Sequence, residues 1–179
     1  MKIIKLTEQE FKNIINKVIN EQGNYDVTED PKALALVNFL NDTETDRDYG
    51  LIDIKLNDID AFYGNTLYIV GDREYGVYTD EEANRIASER IEESVWAFDT
   101  DFIIQRSLAL GKTSGDSAEK ILGCIREYSE DGNEVILRLI DNIGSFIKDA
   151  IISDGRAHFI STYDDEENIS GDYNIYRLN

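Results

Sequence analysis

The chain has 179 residues, of which 37 are acidic and 18 basic, giving a formal net charge of −19. Such a surface repels phosphate backbones and anionic membranes, so it disfavours ordinary DNA, RNA or membrane-surface binding and favours basic partners. Apolar residues make up 41% and aromatic residues 10%, enough for a packed core, and disorder of the bulk of the chain is not expected.

Cys124 is the only cysteine, so an intramolecular disulfide and a cysteine-based zinc site are both excluded. Its segment, "EKILGCIREY", is amphipathic and predicts a core thiol. "MKIIKLTEQEF" is charged too soon for a signal peptide, and no run reaches the length of a membrane span. A soluble, intracellular (cytoplasmic) protein is therefore expected. With one proline and no Gly/Ser-rich linker, residues 1–179 are expected to form one compact domain, with 1–62 as an alternative N-terminal subdomain.

The first predicted element is a helix from Thr7 to Gln22, opened by a Thr7–Glu10 capping box and striped by Phe11, Ile14, Ile15, Val18 and Ile19. A second helix starts in "TEDPKALALVNFLN", with Asp30 as cap and Pro31 at the first helical position. "LIDIKL" (51–56) alternates like a strand. "TLYIVGDREYGVYT" (66–79) predicts a hairpin turning at Gly71, Asp72 and Arg73. Thr79 and Glu82 then form a capping box for a helix over 80–98, whose buried stripe is Ala83, Ala87, Ile91, Val95 and Phe98. Trp96 lies off that stripe and is expected to cover the next segment. Further helices are predicted over 100–110, 116–128 and 133–152, the last with a wide apolar face. "DG" at 154–155 suits a helix end, and "HFIST" (158–162) and "YNIYRL" (173–178) read as strands joined by an acidic turn, 164–172. The expected fold is α+β: a small antiparallel sheet packed against several helices.

His158 is the only histidine. No nucleophile motif and no paired histidine accompany it, so a structural role is expected, hydrogen-bonding the turn from Asp154 to Arg156. A small hydrolase or metal-dependent enzyme centred on Asp154, Arg156 and His158 is the alternative. Two windows fail the calcium-loop pattern. From Asp46, Gly50 and Asn57 fall where an acid and a glutamate are required, and from Asp58, Phe62 and Tyr63 fall where an acid and glycine are required. "GKTSGDS" (111–117) lacks the first glycine and the preceding strand of a phosphate loop, and reads as a connection between helices. No cofactor and no metal is expected.

The acids themselves offer a function. Successive phosphates on a DNA strand lie roughly 6–7 Å apart. Helical residues four apart rise about 6 Å. Glu82, Glu89, Glu92 and Glu93, with the turn Asp164, Asp165, Glu166 and Glu167, are the candidate partner-binding residues, a row that imitates phosphates and fits a basic groove.

"YTDEEANRIASERIEESVWAFDTDF" (78–102) and "SDGRAHFISTYDDEEN" (153–168), with the ending "YNIYRLN", resemble a group of small, largely uncharacterised bacteriophage and mobile-element proteins. The shared pattern is Thr-Asp-Glu-Glu-Ala, a Trp-Ala-Phe helix end and Asp-Gly-Arg-x-His-Phe. It covers the second half of the chain, has no counterpart for residues 1–60, and departs at Ala157, where the pattern often has glycine. The resemblance implies a mobile-element setting and, in it, a non-enzymatic counter-defence inhibitor of anti-CRISPR or anti-restriction type. Its partner would be a basic nucleic-acid-handling protein such as a CRISPR or restriction nuclease. A phage accessory protein with no basic partner is the third reading.

Overall fold

A computed structural model describes residues 30–42, 53–62 and 66–179. The helix expected over Thr7–Gln22, most of the alternative subdomain 1–62 and the first two residues of "LIDIKL" lie outside the described residues. Helix α1 (Pro31–Asp42) starts where Asp30 and Pro31 predict. Asp30 Oδ1 accepts from the Lys32 N–H at 3.0 Å, and its Oδ2 accepts from the buried Tyr68 hydroxyl at 2.6 Å. One carboxylate thus caps the helix and ties it to the sheet.

The sheet has five strands: β1 (Ile59–Phe62), β2 (Leu67–Val70), β3 (Arg73–Tyr78), β4 (Asn168–Ser170) and β5 (Tyr173–Arg177). All pairs are antiparallel, in the order β1-β2-β3-β5-β4. The predicted hairpin is β2–β3. Its turn is Gly71–Asp72, with Gly71 at φ +65°, and Arg73 is already in β3 and buried. Side chains alternate across the sheet as the pleat requires. Tyr68, Val70, Tyr75, Val77 and Ile175 meet Ala33, Leu36, Val37 and Leu40 of α1 on one face. On the other face Tyr78 and Tyr176 meet a layer of helices. Gly76 makes room there, since a Cβ at that position would fall 2.5 Å from the Tyr78 ring.

That second layer begins with α2 (Asp80–Glu93), entered directly from β3. Both halves of the capping box form: the Glu82 N–H donates to Thr79 Oγ1 at 3.3 Å, and the Thr79 N–H donates to Glu82 Oε2 at 2.8 Å. Thr79→Ala is expected to lower stability by about 1 kcal/mol in urea denaturation; no measurable loss would mean that the box does not hold the helix entry. Ala83, Ala87, Ile91 and Val95 are buried as predicted, but the helix stops at Glu93. A 3-10 turn (Val95–Ala97) follows, and Phe98 is extended and half-buried. The physical cause is a tertiary tie: Asn133 accepts from the Trp96 N–H at 3.0 Å and donates to the Glu92 carbonyl at 2.6 Å. Trp96 packs on the helical cluster, as its position off the stripe suggested.

The remaining helices are α3 (Thr100–Ile104), α4 (Leu108–Gly111), α5 (Gly115–Arg126), α6 (Asn133–Leu139), α7 (Ile143–Asp154) and α8 (Arg156–Ile160). They enclose a second core of Ile103, Leu110, Leu122, Ile136, Phe146 and Ala150. Two predicted helices are each split by a local cap. Ser107 caps α4 by accepting from the Leu110 N–H at 3.2 Å, which divides 100–110. Asn142 caps α7 by accepting from the Ser145 N–H at 2.9 Å, and Asp141 takes the Leu108 N–H at 2.5 Å, which divides 133–152. "GKTSGDS" spans the end of α4 and the start of α5, a connection between helices as expected.

Three other expectations are corrected. Asn41 brackets the Ile54 backbone, donating to its carbonyl and accepting from its N–H, each at 2.9 Å. This takes Ile54 out of strand pairing, and β1 begins instead at Ile59. Cys124 is exposed, because α5 lies at the rim of its cluster and buries only Ala118 and Leu122 fully. "HFIST" is not a strand: Ala157 and Ile160, three apart, are buried beside Ala83 and Ala87, and this spacing selects α8 over the β propensity of the segment. Among the described residues the architecture is eight α-helices with a five-stranded antiparallel sheet, the predicted α+β class. No helix of the described residues is long and apolar enough to cross a membrane.

Candidate functional site

Gly155 ends α7 at φ +82°, a backbone conformation that favours glycine, and its N–H donates to the Ile151 carbonyl at 2.9 Å. The chain then re-enters helix at Arg156, and that geometry parts Arg156 from Asp154 and His158, which line a common groove.

Arg156 turns into a clamp. Its Nε and Nη2 donate to Glu167 at 3.0 and 2.7 Å, a bidentate pair, and its Nη1 donates to Asp80 at 2.5 Å and to Asn84 at 3.1 Å. The Tyr176 hydroxyl donates to the same Glu167 carboxylate. One guanidinium therefore joins α8, the first turn of α2 and the segment leading into β4. The Glu167 hydrogen bonds outweigh burial and raise the Arg156 pKa above its ordinary value. Burial pushes Glu167 up, but the hydrogen bonds from Arg156 and Tyr176 prevail and leave it below the usual carboxylate value. The Arg156 hydrogen bond and charge lower Asp80. Burial, then the bond to Glu167, push the Tyr176 phenol up.

The eight candidate acids divide into two groups. Four are committed to local structure. Glu82 closes the capping box and pairs with Lys32 at 2.6 Å; burial raises its pKa, the Lys32 and Thr79 bonds lower it, and the balance is low. Glu89 pairs with Arg85 at 2.8 Å. Asp164 accepts from the Ser161 hydroxyl at 2.8 Å and the Glu166 N–H at 3.0 Å, and so forms the turn. Glu167 belongs to the Arg156 clamp. The other four, Glu92, Glu93, Asp165 and Glu166, are exposed, and no lysine or arginine among the described residues pairs with them.

His158 does not bond the preceding turn. It is exposed on α8, edge-to-face with Phe159 at 5.1 Å, with Nδ1 3.9 Å from Asp165 Oδ1. His158→Ala is accordingly expected to change stability by less than about 0.5 kcal/mol, as for an exposed substitution. A loss above about 1 kcal/mol on chemical denaturation would restore a structural role.

Asp154 and His158 share a groove of about 450 Å³ with Arg90, Glu93, Phe98, Asp99 and Phe159. Arg156 does not line it. The groove is assembled from the end of α2, the 97–99 segment and the α7–α8 junction, so linear spacing gives no sign of it. Glu93 of the helix set lines it, and so does His158, whose Nδ1 lies 3.9 Å from Asp165 of the turn set. Among the described residues no group of three or more His, Cys, Asp and Glu side chains is arranged to hold a metal ion. Comparison with protein-family models, with curated proteins and with solved structures finds no match.

Proposed function

We propose that the protein is a non-catalytic acidic binding protein for a basic nucleic-acid-handling protein and, in the mobile-element setting that its sequence suggests, an inhibitor of a CRISPR or restriction nuclease. The observation that carries this reading is uncompensated charge. The chain holds −19 in 20.4 kDa. A net charge of roughly 2–8 suffices to keep a small domain soluble. Glu92, Glu93, Asp165 and Glu166 add to that charge without an internal lysine or arginine counterion among the described residues. Opposite charge would steer such a surface into a basic groove and compete there with phosphates. The test is inhibition of DNA binding by purified CRISPR and restriction nucleases: an inhibited nuclease whose block weakens as salt rises supports the reading.

A second reading, a small enzyme at Asp154, Arg156 and His158, has in its favour that Asp154 and His158 share one groove. Against it stands the commitment of Arg156 to Glu167 and Asp80. Loss of a measured turnover in folded His158→Ala protein would favour it.

A further inference from the structure

The groove at the end of α2 carries more than diffuse charge. Glu93, Asp99 and Asp154 reach it from three separate elements, against one internal cation, Arg90. Three other arginines sit on carboxylates: Arg85 on Glu89 at 2.8 Å, Arg106 on Asp149 at 2.9 Å and Arg138 on Glu134 at 2.5 Å. Here they do not. Among the described residues Arg90, Glu93 and Asp154 form no salt bridge with one another or with any other side chain, and Asp99 accepts only the backbone N–H groups of Asp101 and Phe102, through Oδ1. The groove also has an aromatic wall. The rings of Phe98 and Phe159 lie nearly parallel, 17° apart with centroids separated by 6.0 Å.

Flat apolar rings beside carboxylates that hold no internal lysine or arginine match one common side chain. A guanidinium is planar, weakly hydrated, stacks on aromatic faces and donates in pairs to carboxylates; an ammonium is a compact, strongly hydrated point charge. The groove, at about 450 Å³, has room for such a side chain. We propose that this groove is an arginine-binding site, which takes a guanidinium presented by the basic partner between Glu93, Asp99 and Asp154 and against Phe98 and Phe159. The inference rests on the reading of the protein as a binder of basic partners, and names the side chain that its surface selects.

The experiment titrates the full chain, at low salt, with an oligo-arginine peptide and with an oligo-lysine peptide of equal length, followed by calorimetry and backbone-amide NMR. The arginine peptide is expected to bind about threefold more tightly and to shift the amides of Phe98, Asp99, His158 and Phe159 most. Glu93→Gln with Asp154→Asn is expected to weaken it about fivefold to tenfold, while Asp116→Asn with Glu119→Gln on α5, outside the groove, changes it less than about twofold. Both pairs remove two exposed charges, so a general charge effect would reduce binding equally. Equal losses, or equal affinity for the two peptides, overturn the arginine site and leave the acidic-binder reading standing. If neither peptide binds at low salt, both fall.

Discussion

Replacing Arg156 with leucine is expected to lower the free energy of unfolding by about 3 kcal/mol, the range for removing one partner of a largely desolvated ion pair. The Arg156 side chain is 14% exposed and that of Glu167 24%. Leucine would leave the Glu167 carboxylate without its bidentate donor beside the Tyr176 hydroxyl, and would remove the polar tie of α8 to the first turn of α2, leaving the apolar contact of Ala157 and Ile160 with Ala83 and Ala87. Lysine should restore less than half of the loss, because one ammonium cannot replace two parallel N–H donors. A pH dependence follows. Asp80 and Glu167 both have folded pKa values below their ordinary ones. The folded state therefore binds fewer protons in the acid range, and their contribution is complete above the ordinary carboxylate pKa, declines as pH falls below it, and is gone once pH has passed the lower folded values. Arg156→Leu should flatten that acid limb. A variant as stable as the parent, with an unchanged acid limb, would show that the clamp does not hold α8.

Phe146→Ala is expected to be still more damaging, by about 4 kcal/mol, through lost burial and the cavity left behind. Phe146 is fully buried on α7 and meets Phe98 at 5.0 Å and Phe102 at 4.9 Å, both edge-to-face. Those three rings connect α7, α3 and the extended segment at Phe98, so the cavity would open at the centre of the helical cluster. A loss below about 1.5 kcal/mol in urea denaturation would mean that the cluster closes around the gap.

What could be read from the residues was local. The Asp30–Pro31 start, the Thr79–Glu82 box, the Gly71–Asp72 hairpin and the Gly155 helix end each depend on neighbours within a few positions. The splits of 100–110 and 133–152 come from local caps at Ser107 and Asn142, but other misreadings came from distant partners. Asn41 holds Ile54 across 13 positions, and Asn133 binds Glu92 and Trp96 across 41 and 37. Pairing with β5 reveals β4, whose three residues fall within the predicted acidic turn 164–172. The candidate site divides in the same way. Exposed acids can be anticipated from the face of a helix, but Glu82 and Glu167 are withdrawn by Lys32 and Arg156, 50 and 11 positions away. The groove unites residues from 90 to 159 and leaves no trace in spacing.

These placements define the variant that isolates exposed charge from structure. Glu92→Gln, Glu93→Gln, Asp165→Asn and Glu166→Gln together remove four charges and leave Thr79, Glu82, Arg156 and Glu167 untouched. The decisive measurement is affinity of the parent and of this variant for purified CRISPR and restriction nucleases, at low and high salt, with DNA as competitor. The parent should bind at least one nuclease, lose affinity as salt rises and be displaced by DNA, and the folded variant should bind that nuclease more weakly with a shallower salt dependence. If no nuclease binds at low salt, or if parent and variant bind alike with no dependence on salt, the acids are a solvated coat and the proposed function is wrong.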